Sequence, residues 1–328
     1  MLINNISVII PVFNGENTIK ESIESVLNQT FTNFELIIIN ADSTDATFSI
    51  VSQIQDDRIK VFSYPKANVA VNRNRGIKHA TGDYITFLDA DDLWTSDKLA
   101  DQYKALQENP QAAVAYSWTN CIDEHGKYLR KAAHENWNGD VYSKLLIDDF
   151  IGSGSNVMIR RDALIAVDGF DEVLTNAQDT DMWFKLSAIA DFVCVPKVQI
   201  LYRIQQHSMS SNVLGMEKSY LEVMERAFAC EKAKNLQHIK PQTIGNFYKY
   251  LCYKVLKTPP GKQQSVVAAR FLFTAIKTDI SLLLKPIIFK GILKLIVMAI
   301  LPPNWVNVIF KKFPSLSNTS TFLGYIKT

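Results

Sequence analysis

Four apolar runs near the start of the chain constrain its fold more than any other feature. They are "ISVIIPVF" (6–13), "FELIIIN" (34–40), "IKVFSY" (59–64) and "YITFLD" (84–89). A continuous apolar run such as "ISVIIPVF" or "FELIIIN" suits a parallel strand buried on both faces, and "IKVFSY" reads as a further strand. Helical spacing fills the gaps. After a cap at Asn17 or Thr18, apolar Ile19, Ile23, Val26 and Leu27 share one face. "STDATFSIVSQI" (43–54) offers a second cap and helix, and "NVAVNRNRGIKHA" (68–80), closed by "TGD", a third. Strand–helix alternation with short joints predicts a parallel sheet with right-handed crossovers.

The alternation breaks after residue 110. "AAVAYSWTNCIDEHGKYLRK" (112–131) reads as a hairpin turning at Asp123 to Gly126. "GSGSNVMIRRDALIAVDGFDE" (152–172) reads as loop, strand, short helix and turn, and residues 179–204 as a helix followed by one or two strands. From Met216 strand signals vanish, and helices are expected at about 216–234, 240–257 and 261–277.

The overall charge of +2 conceals a split. Residues 1–215 carry 18 Lys and Arg against 28 Asp and Glu, a net −10; residues 216–328 carry 17 against 5, a net +12. Such asymmetry points to a partner for the basic part. Cys121, Cys194, Cys230 and Cys252 lack metal-ligand spacing and read as reduced core thiols. The N-terminus has no basic stretch before its short apolar run, so it reads as a strand and not a signal peptide, and a cytoplasmic location is expected.

In open parallel sheets, ligands bind at the carboxyl ends of the strands. Here those ends are polar: Asn14 after the first strand, Asn40 and Asp42 after the second, Asp89 and Asp91 after the fourth. Two carboxylates at i and i+2 can both reach one hard cation, and Mg²⁺ or Mn²⁺ takes one or two of them together with phosphate oxygens. The plainer reading of "DADD" is a solvated acidic loop or a cap for the helix that follows.

The blocks "SVIIPVFNGENTIKESIESVLNQTFTNFELIIIN", "NRNRGIKHATGDYITFLDADDLW" and "VDGFDE" followed by "QDTDMWFKL" resemble those of the family 2 inverting glycosyltransferases, over roughly residues 5–212. The resemblance implies an α/β fold of the GT-A type: a mostly parallel sheet flanked by helices, with a C-terminal helical region. It implies a catalytic domain over 1–215, while residues 216–328, beyond the resemblance, read from their own pattern as a basic, apolar helical region. Pro11, Phe13, Asn14 and Glu16 would wall the nucleotide pocket. Arg73 would stand near base and phosphates, where its fork suits bidentate contact. Asp89 and Asp91 would contact ribose and metal, with Asp91 the direct ligand of Mn²⁺ or Mg²⁺. Asp179 would take the proton of the acceptor hydroxyl; capping its own helix is the alternative role. The family pattern is departed from at Ala41, which stands where a carboxylate usually reads uracil, leaving Asn40 or Asp42 to compensate. It is departed from again at Gln205, where a histidine is usual and His207 follows two residues on.

The implied activity is transfer of a sugar from a nucleotide diphosphate donor, a UDP-sugar by expectation, to a saccharide or lipid-linked saccharide. A sugar-nucleotide-binding protein without transferase activity is the alternative. A nucleotidyltransferase would need a Gly-rich, basic first loop, which "PVFNGENT" lacks, and a dinucleotide oxidoreductase would need GxGxxG.

Residues 232–328 hold 15 Lys and Arg and a single acid, Asp279. These charges are interleaved with Leu, Ile, Phe and Val, so nucleic acid is not the expected partner. "LLLKPIIFKGILKLIVMAIL" (282–301) carries Lys285, Lys290 and Lys294 within an apolar stretch, too many charges for a simple spanning helix. A helix lying on an anionic membrane surface, at the inner face, is expected. Packing into the protein core, or a spanning segment, are the alternatives.

Overall fold

The computed structural model describes residues 5–205, 212–257 and 262–313. The described chain divides into two compact units, Met1–Tyr142 with Asp149–Ser208, and Ser143–Asp148 with Met209–Thr328. The second unit thus draws six residues from the middle of the chain, which one boundary near 215 does not capture.

In chain order the elements are β1 (Ile6–Val12), α1 (Ile19–Leu27), β2 (Phe34–Asn40), α2 (Thr47–Gln53), β3 (Ile59–Ser63), α3 (Val69–His79), β4 (Tyr84–Phe87), β5 (Leu93–Trp94), α4 (Lys98–Glu108), β6 (Ala112–Ile122), β7 (Tyr128–Lys131), α5 (Tyr142–Ile147), β8 (Met158–Arg160), α6 (Arg161–Ala166), α7 (Gln178–Ile189) and β9 (Asp191–Arg203). Then come α8 (Val213–Ala229), a 3₁₀ segment (Glu231–Ile239), α9 (Lys240–Lys257), α10 (Lys262–Thr278), a second 3₁₀ segment (Ile280–Leu284), α11 (Pro286–Ile300) and α12 (Pro303–Lys312).

The first unit is built on a nine-stranded sheet of order β3-β2-β1-β4-β8-β6-β9-β5, with β7 paired to β6. The four expected apolar strands pair in parallel, with Ile9 opposite Ile37 on one side and Phe87 on the other. Every residue of β1, β2 and β4 is buried, as their unbroken apolar composition requires. Each large aliphatic side chain buried in this way contributes about 1.5–3 kcal/mol. Antiparallel pairing enters where β8 slots between β4 and β6. The hairpin of β6 and β7 turns at Asp123–Gly126, with Gly126 at φ +79°.

The N-terminal ends of these strands are tied by one buried carboxylate. Glu35 accepts from Ser7 Oγ (2.6 Å), Thr81 N (2.7 Å) and Lys60 Nζ (2.7 Å), and Gly82 N donates to Ser7 Oγ (2.9 Å). Burial alone would raise its pKa; the Lys60, Ser7 and Thr81 hydrogen bonds overcome that and hold it at about 2. β1, β2, β3 and the turn into β4 are therefore locked together at one end of the sheet. The opposite end is left for other work.

The second unit is helical. Phe247, Leu251, Phe271, Ile287, Ile288, Leu295, Met298 and Val306 share one core. Among the described residues no helix is long and apolar enough to cross a membrane.

Candidate functional site

The strand order reverses between β1 and β4: the chain moves outward from β1 through β2 to β3, then returns to the other side of β1. Such a switch point leaves a crevice at the strands' carboxyl ends. α3 packs on β1 with Gly76 against Ile9, where a Cβ would collide with Ile9 Cγ2. That close approach sets Arg73, one turn earlier, at the crevice.

Arg73 is 1% exposed. Its Nη2 donates to Asp89 Oδ1 at 2.8 Å, and its Nη1 to Asp179 Oδ1. Phe170 lies 5.2 Å and Phe87 5.9 Å from its guanidinium. The structure thus brings together three expected site residues, from α3, the loop after β4 and α7. Both terminal nitrogens of Arg73 are engaged, so it acts here as a bridge between carboxylates and not as an open phosphate receptor.

Asp179 keeps 30% of its side chain exposed. Burial pushes its pKa up; Arg73 opposes this, while Asp89 and Asp149 add to it, and the balance lies at about 6. Ala177, just before α7, has φ +58°. A non-glycine residue held there costs about 1–3 kcal/mol, a strain found at sites where geometry is over-determined. Asn14 (φ 53°) and Asp42 (φ 61°), at the ends of β1 and β2, share this conformation. Asp181, in the same helical turn as Asp179, is buried and pairs with Lys185 at 3.0 Å.

The three acids of "DADD" divide in two. Asp92 is fully buried and accepts from Ser155 Oγ (2.6 Å) and Arg203 N (2.9 Å). Burial raises its pKa, and the charges of Asp91 and Asp89 add to that. It is an anchor. Ser155 Oγ also receives Asp89 N (3.0 Å), Arg203 Nε donates to Asp91 O (2.8 Å), and Ser22 Oγ donates to Ala90 O (3.0 Å) and Asp92 O (2.8 Å). The loop is therefore held from three sides, leaving Asp89 and Asp91 half-buried at the crevice. The Asp91 carboxyl is pushed up to about 6 by burial and by the charge of Asp89. A bound divalent cation would offset the burial and the neighbouring charge that disfavour ionised Asp91, and Mg²⁺ or Mn²⁺ needs no more from the protein than one or two carboxylates when phosphate oxygens complete the shell. Among the described residues no cluster of three or more His, Cys, Asp or Glu could hold a metal ion. The two carboxylates fit a metal shared with substrate, not a cage made by the protein alone.

The expected nucleotide wall is more varied. Pro11 is buried within β1. Phe13 is 39% exposed, with Lys66 Nζ 4.0 Å above its ring. Asn14 Oδ1 accepts from Thr44 N (2.8 Å) and Glu16 Oε2 from Ala46 N (2.9 Å), so both side chains hold the loop after β2. Asn40 donates to Ser63 Oγ (3.3 Å) and accepts from Ser43 N (3.2 Å). Ala41 is fully buried and Asp42 exposed. Gln205 is half-buried, and His207 lies outside the described residues.

Four side chains or positions at the site carry no signal in the sequence reading. Asp149 is beside Asp179, accepts from Thr180 Oγ1 (3.0 Å), and has its pKa raised by burial. Ser155 and Arg203 clamp the acidic loop. Gly154 has no room for a Cβ, which would strike Arg73 Nη2 and approach Asp179 Oδ2 at 2.9 Å. The "GSGSN" stretch was the available hint, since a glycine amid small residues marks close approach.

Comparison with known proteins identifies the family. The family described as glycosyltransferase like family 2 matches residues 7–255. An uncharacterized glycosyltransferase of Rickettsia bellii is 37% identical over 184 residues, 56% of this chain and 26% of that protein. The chain spans about a quarter of the length of this and two other Rickettsia relatives. The Escherichia coli UDP-Glc:alpha-D-GlcNAc-diphosphoundecaprenol beta-1,3-glucosyltransferase WfgD is 33% identical over 227 residues, 67% of this chain and 85% of that protein. The crystal structure of S. aureus TarS 1-349 in complex with UDP-GlcNAc superposes with a TM-score of 0.54 at 18% identity, covering 97% of this chain and 90% of that one. That likeness shows the GT-A type fold with a helical C-terminal region.

Proposed function

The chain belongs to glycosyltransferase like family 2, and from that premise we propose that it is an inverting glycosyltransferase. It moves a sugar from a nucleotide diphosphate donor, a UDP-sugar, to a hydroxyl of a saccharide or lipid-linked saccharide in surface polysaccharide or glycan synthesis. WfgD, whose name states a UDP-Glc donor and a diphosphoundecaprenol-linked acceptor, supports the donor and acceptor class. The observation that carries the reading is the Arg73 bridge, which fixes Asp89 and Asp179 on opposite arms of one buried guanidinium at the switch point.

The roles follow from position. Phe13 and the ends of β1 and β2 receive the nucleoside. Asp89 and Asp91 hold a divalent cation, Mg²⁺ or Mn²⁺, which when bound neutralises charge on the diphosphate leaving group. Asp179 accepts the proton of the acceptor hydroxyl as that oxygen attacks the anomeric carbon and the bond to the diphosphate breaks. A single displacement inverts the centre. A base with a pKa of about 6 is ionised at neutral pH yet still basic enough to take a proton in the transition state. Arg73 keeps Asp179 oriented, and burial, with the charges of Asp89 and Asp149 added, keeps its pKa from falling to that of an ordinary paired carboxylate. Donor and lipid-linked acceptor meet at the inner face of the membrane, where we place the protein as a peripheral enzyme.

The test is a panel of nucleotide sugars presented to the purified chain with Mg²⁺ or Mn²⁺ and a polyprenyl-diphosphate-linked saccharide, read as nucleoside diphosphate release and as product. Product from one donor supports the proposal. Saturable donor binding without turnover on any acceptor favours the non-catalytic sugar-nucleotide-binding reading.

A further inference from the structure

The last described segment, residues 280–313, has two unlike sides. Its inner side belongs to the core of the helical unit: Leu282, Ile287, Ile288, Leu295, Met298 and Val306 are all buried there. Its outer side is apolar as well. Phe289, Ile292, Leu293, Ile296 and Ile300 are exposed on α11, at spacings of three, four, seven and eleven from Phe289. That is one stripe of a helix. Leu284 before α11 is 85% exposed, and Trp305 on α12 is 65% exposed. A folded protein does not present so many large apolar groups in one short segment without a partner.

Charge identifies the partner. The segment contains Lys285, Lys290, Lys294, Lys311 and Lys312 and no acid. The acids from residue 216 onward each have a basic partner elsewhere: Glu217 with Arg270, Glu222 with Arg226, Glu225 with Lys240, Glu231 with Lys234 and Asp279 with Lys249. Residues 280–313 thus add a net +5 beside the apolar stripe, with no acid in the segment to offset it. The stripe itself bears no lysine, because Lys294 is turned to the buried side with its Nζ 5.0 Å from the Phe310 ring. This corrects the picture of lysines dotted through a single lipid-facing surface. α11 has 15 residues, about 22 Å at 1.5 Å per residue, short of the roughly 30 Å hydrocarbon core.

We infer that the outer face of α11, with Leu284 and Trp305 at its margins, lies in the interface of an anionic bilayer, the helix axis in the membrane plane and Lys285, Lys290, Lys311 and Lys312 meeting lipid phosphates. The occupant is an anionic lipid surface; a protein groove matched to the stripe would need acidic residues at its rim, which a lipid headgroup layer supplies without specificity. The inference deepens the proposed reaction on a lipid-linked acceptor and rests on it for its purpose, but not for its test.

The experiment uses the full chain and vesicles of phosphatidylcholine alone or with about 30% phosphatidylglycerol, at low and high salt. Wild type should sediment with the anionic vesicles and far less with the neutral ones. The triple variant Phe289→Ser, Leu293→Ser, Ile296→Ser should lose binding at least about tenfold at every salt concentration. Lys311→Gln with Lys312→Gln should lose it mainly at low salt, flattening the salt dependence. Both variants should keep the wild-type thermal transition and the wild-type rate on a water-soluble acceptor. Three outcomes overturn the inference: wild type that ignores anionic vesicles, a triple variant that binds as wild type does, or a wild-type dimer that the triple variant breaks, since a second copy would then own the face. Vesicle binding as described, with no transfer from any donor, refutes the enzymatic reading and leaves the surface assignment standing.

Discussion

Replacing Arg73 with Met tests whether the site is held by one buried cation. The Met side chain keeps an unbranched apolar body between Phe87 and Phe170, so the main loss is charge. Removing one partner of a buried ion pair costs about 3–5 kcal/mol, mostly because the other charge is left behind. Here two carboxylates are left, each 30% exposed, and both can hydrate in part, so the expected loss at pH 7.5 is at the lower end, about 3 kcal/mol. The pH dependence gives the sign. Asp179 already titrates at about 6 with Arg73 beside it, and without Arg73 it must titrate higher. An acid whose folded pKa lies above its unfolded value, about 3.9 for Asp, keeps its stability below that value and loses it as pH rises through the folded pKa. The deficit of Arg73→Met should therefore be small near pH 4.5 and grow through pH 7. Urea unfolding of wild type and variant at pH 5 and pH 7.5 measures it. A deficit under about 1 kcal/mol at pH 7.5, or one of equal size at both pH values, would refute the bridge as the organising interaction.

Asp179→Asn should keep the fold and donor affinity and lose turnover by at least about 10²-fold, because the amide cannot take a proton; near-normal turnover would move the base elsewhere. Asp91→Ala should cost about 10²-fold or more, as loss of a positioned electrostatic stabiliser does, and excess EDTA should silence wild type; full activity in EDTA would sink the metal role. In wild type, kcat/KM should rise with pH through about 6, where Asp179 loses its proton, and a profile flat down to pH 5 would exclude that group. Gly154→Ala should lower activity at least about tenfold by forcing Arg73 and Asp179 apart, with thermal stability reporting whether the pair or the whole loop has yielded.

The parallel half of the sheet is legible because β1, β2 and β4 are buried on both faces, and an unbroken apolar run is the direct imprint of that burial. The hairpin turn at Asp123–Gly126 is legible through local chemistry. What is hidden is everything set by strand neighbours. Nothing in "MIR" announces that β8 inserts antiparallel beside β4, and a two-residue strand such as β5 has no period to read. At the site, residue types at strand ends were visible, but not their division of labour. Asp92 and Asp91 are adjacent and chemically identical; only the positions of Ser155 and Arg203 make one an anchor and leave the other half-open. The resemblance places Arg73 near the site, but that it is buried and bridges two carboxylates shows only when α3 is brought against β1. In α11, apolar content was plain, but which side Lys294 would take depends on the helices packed beneath it.

The division of the chain into units has a consequence for evolution and for engineering. Because Ser143–Asp148 packs with the helical unit, the polypeptide passes between the two units at 142/143, 148/149 and 208/209. A tail joined at one junction can be exchanged by a single recombination event. This one cannot. A chimera that grafts a foreign helical unit after residue 208 would still carry this chain's Leu145 and Leu146, both buried, facing helices they did not evolve against. The next residue but two is Asp149, which bonds to Thr180 beside the proposed base. Swaps that respect all three junctions should yield working hybrids, and swaps at 208 alone should misfold or lose turnover.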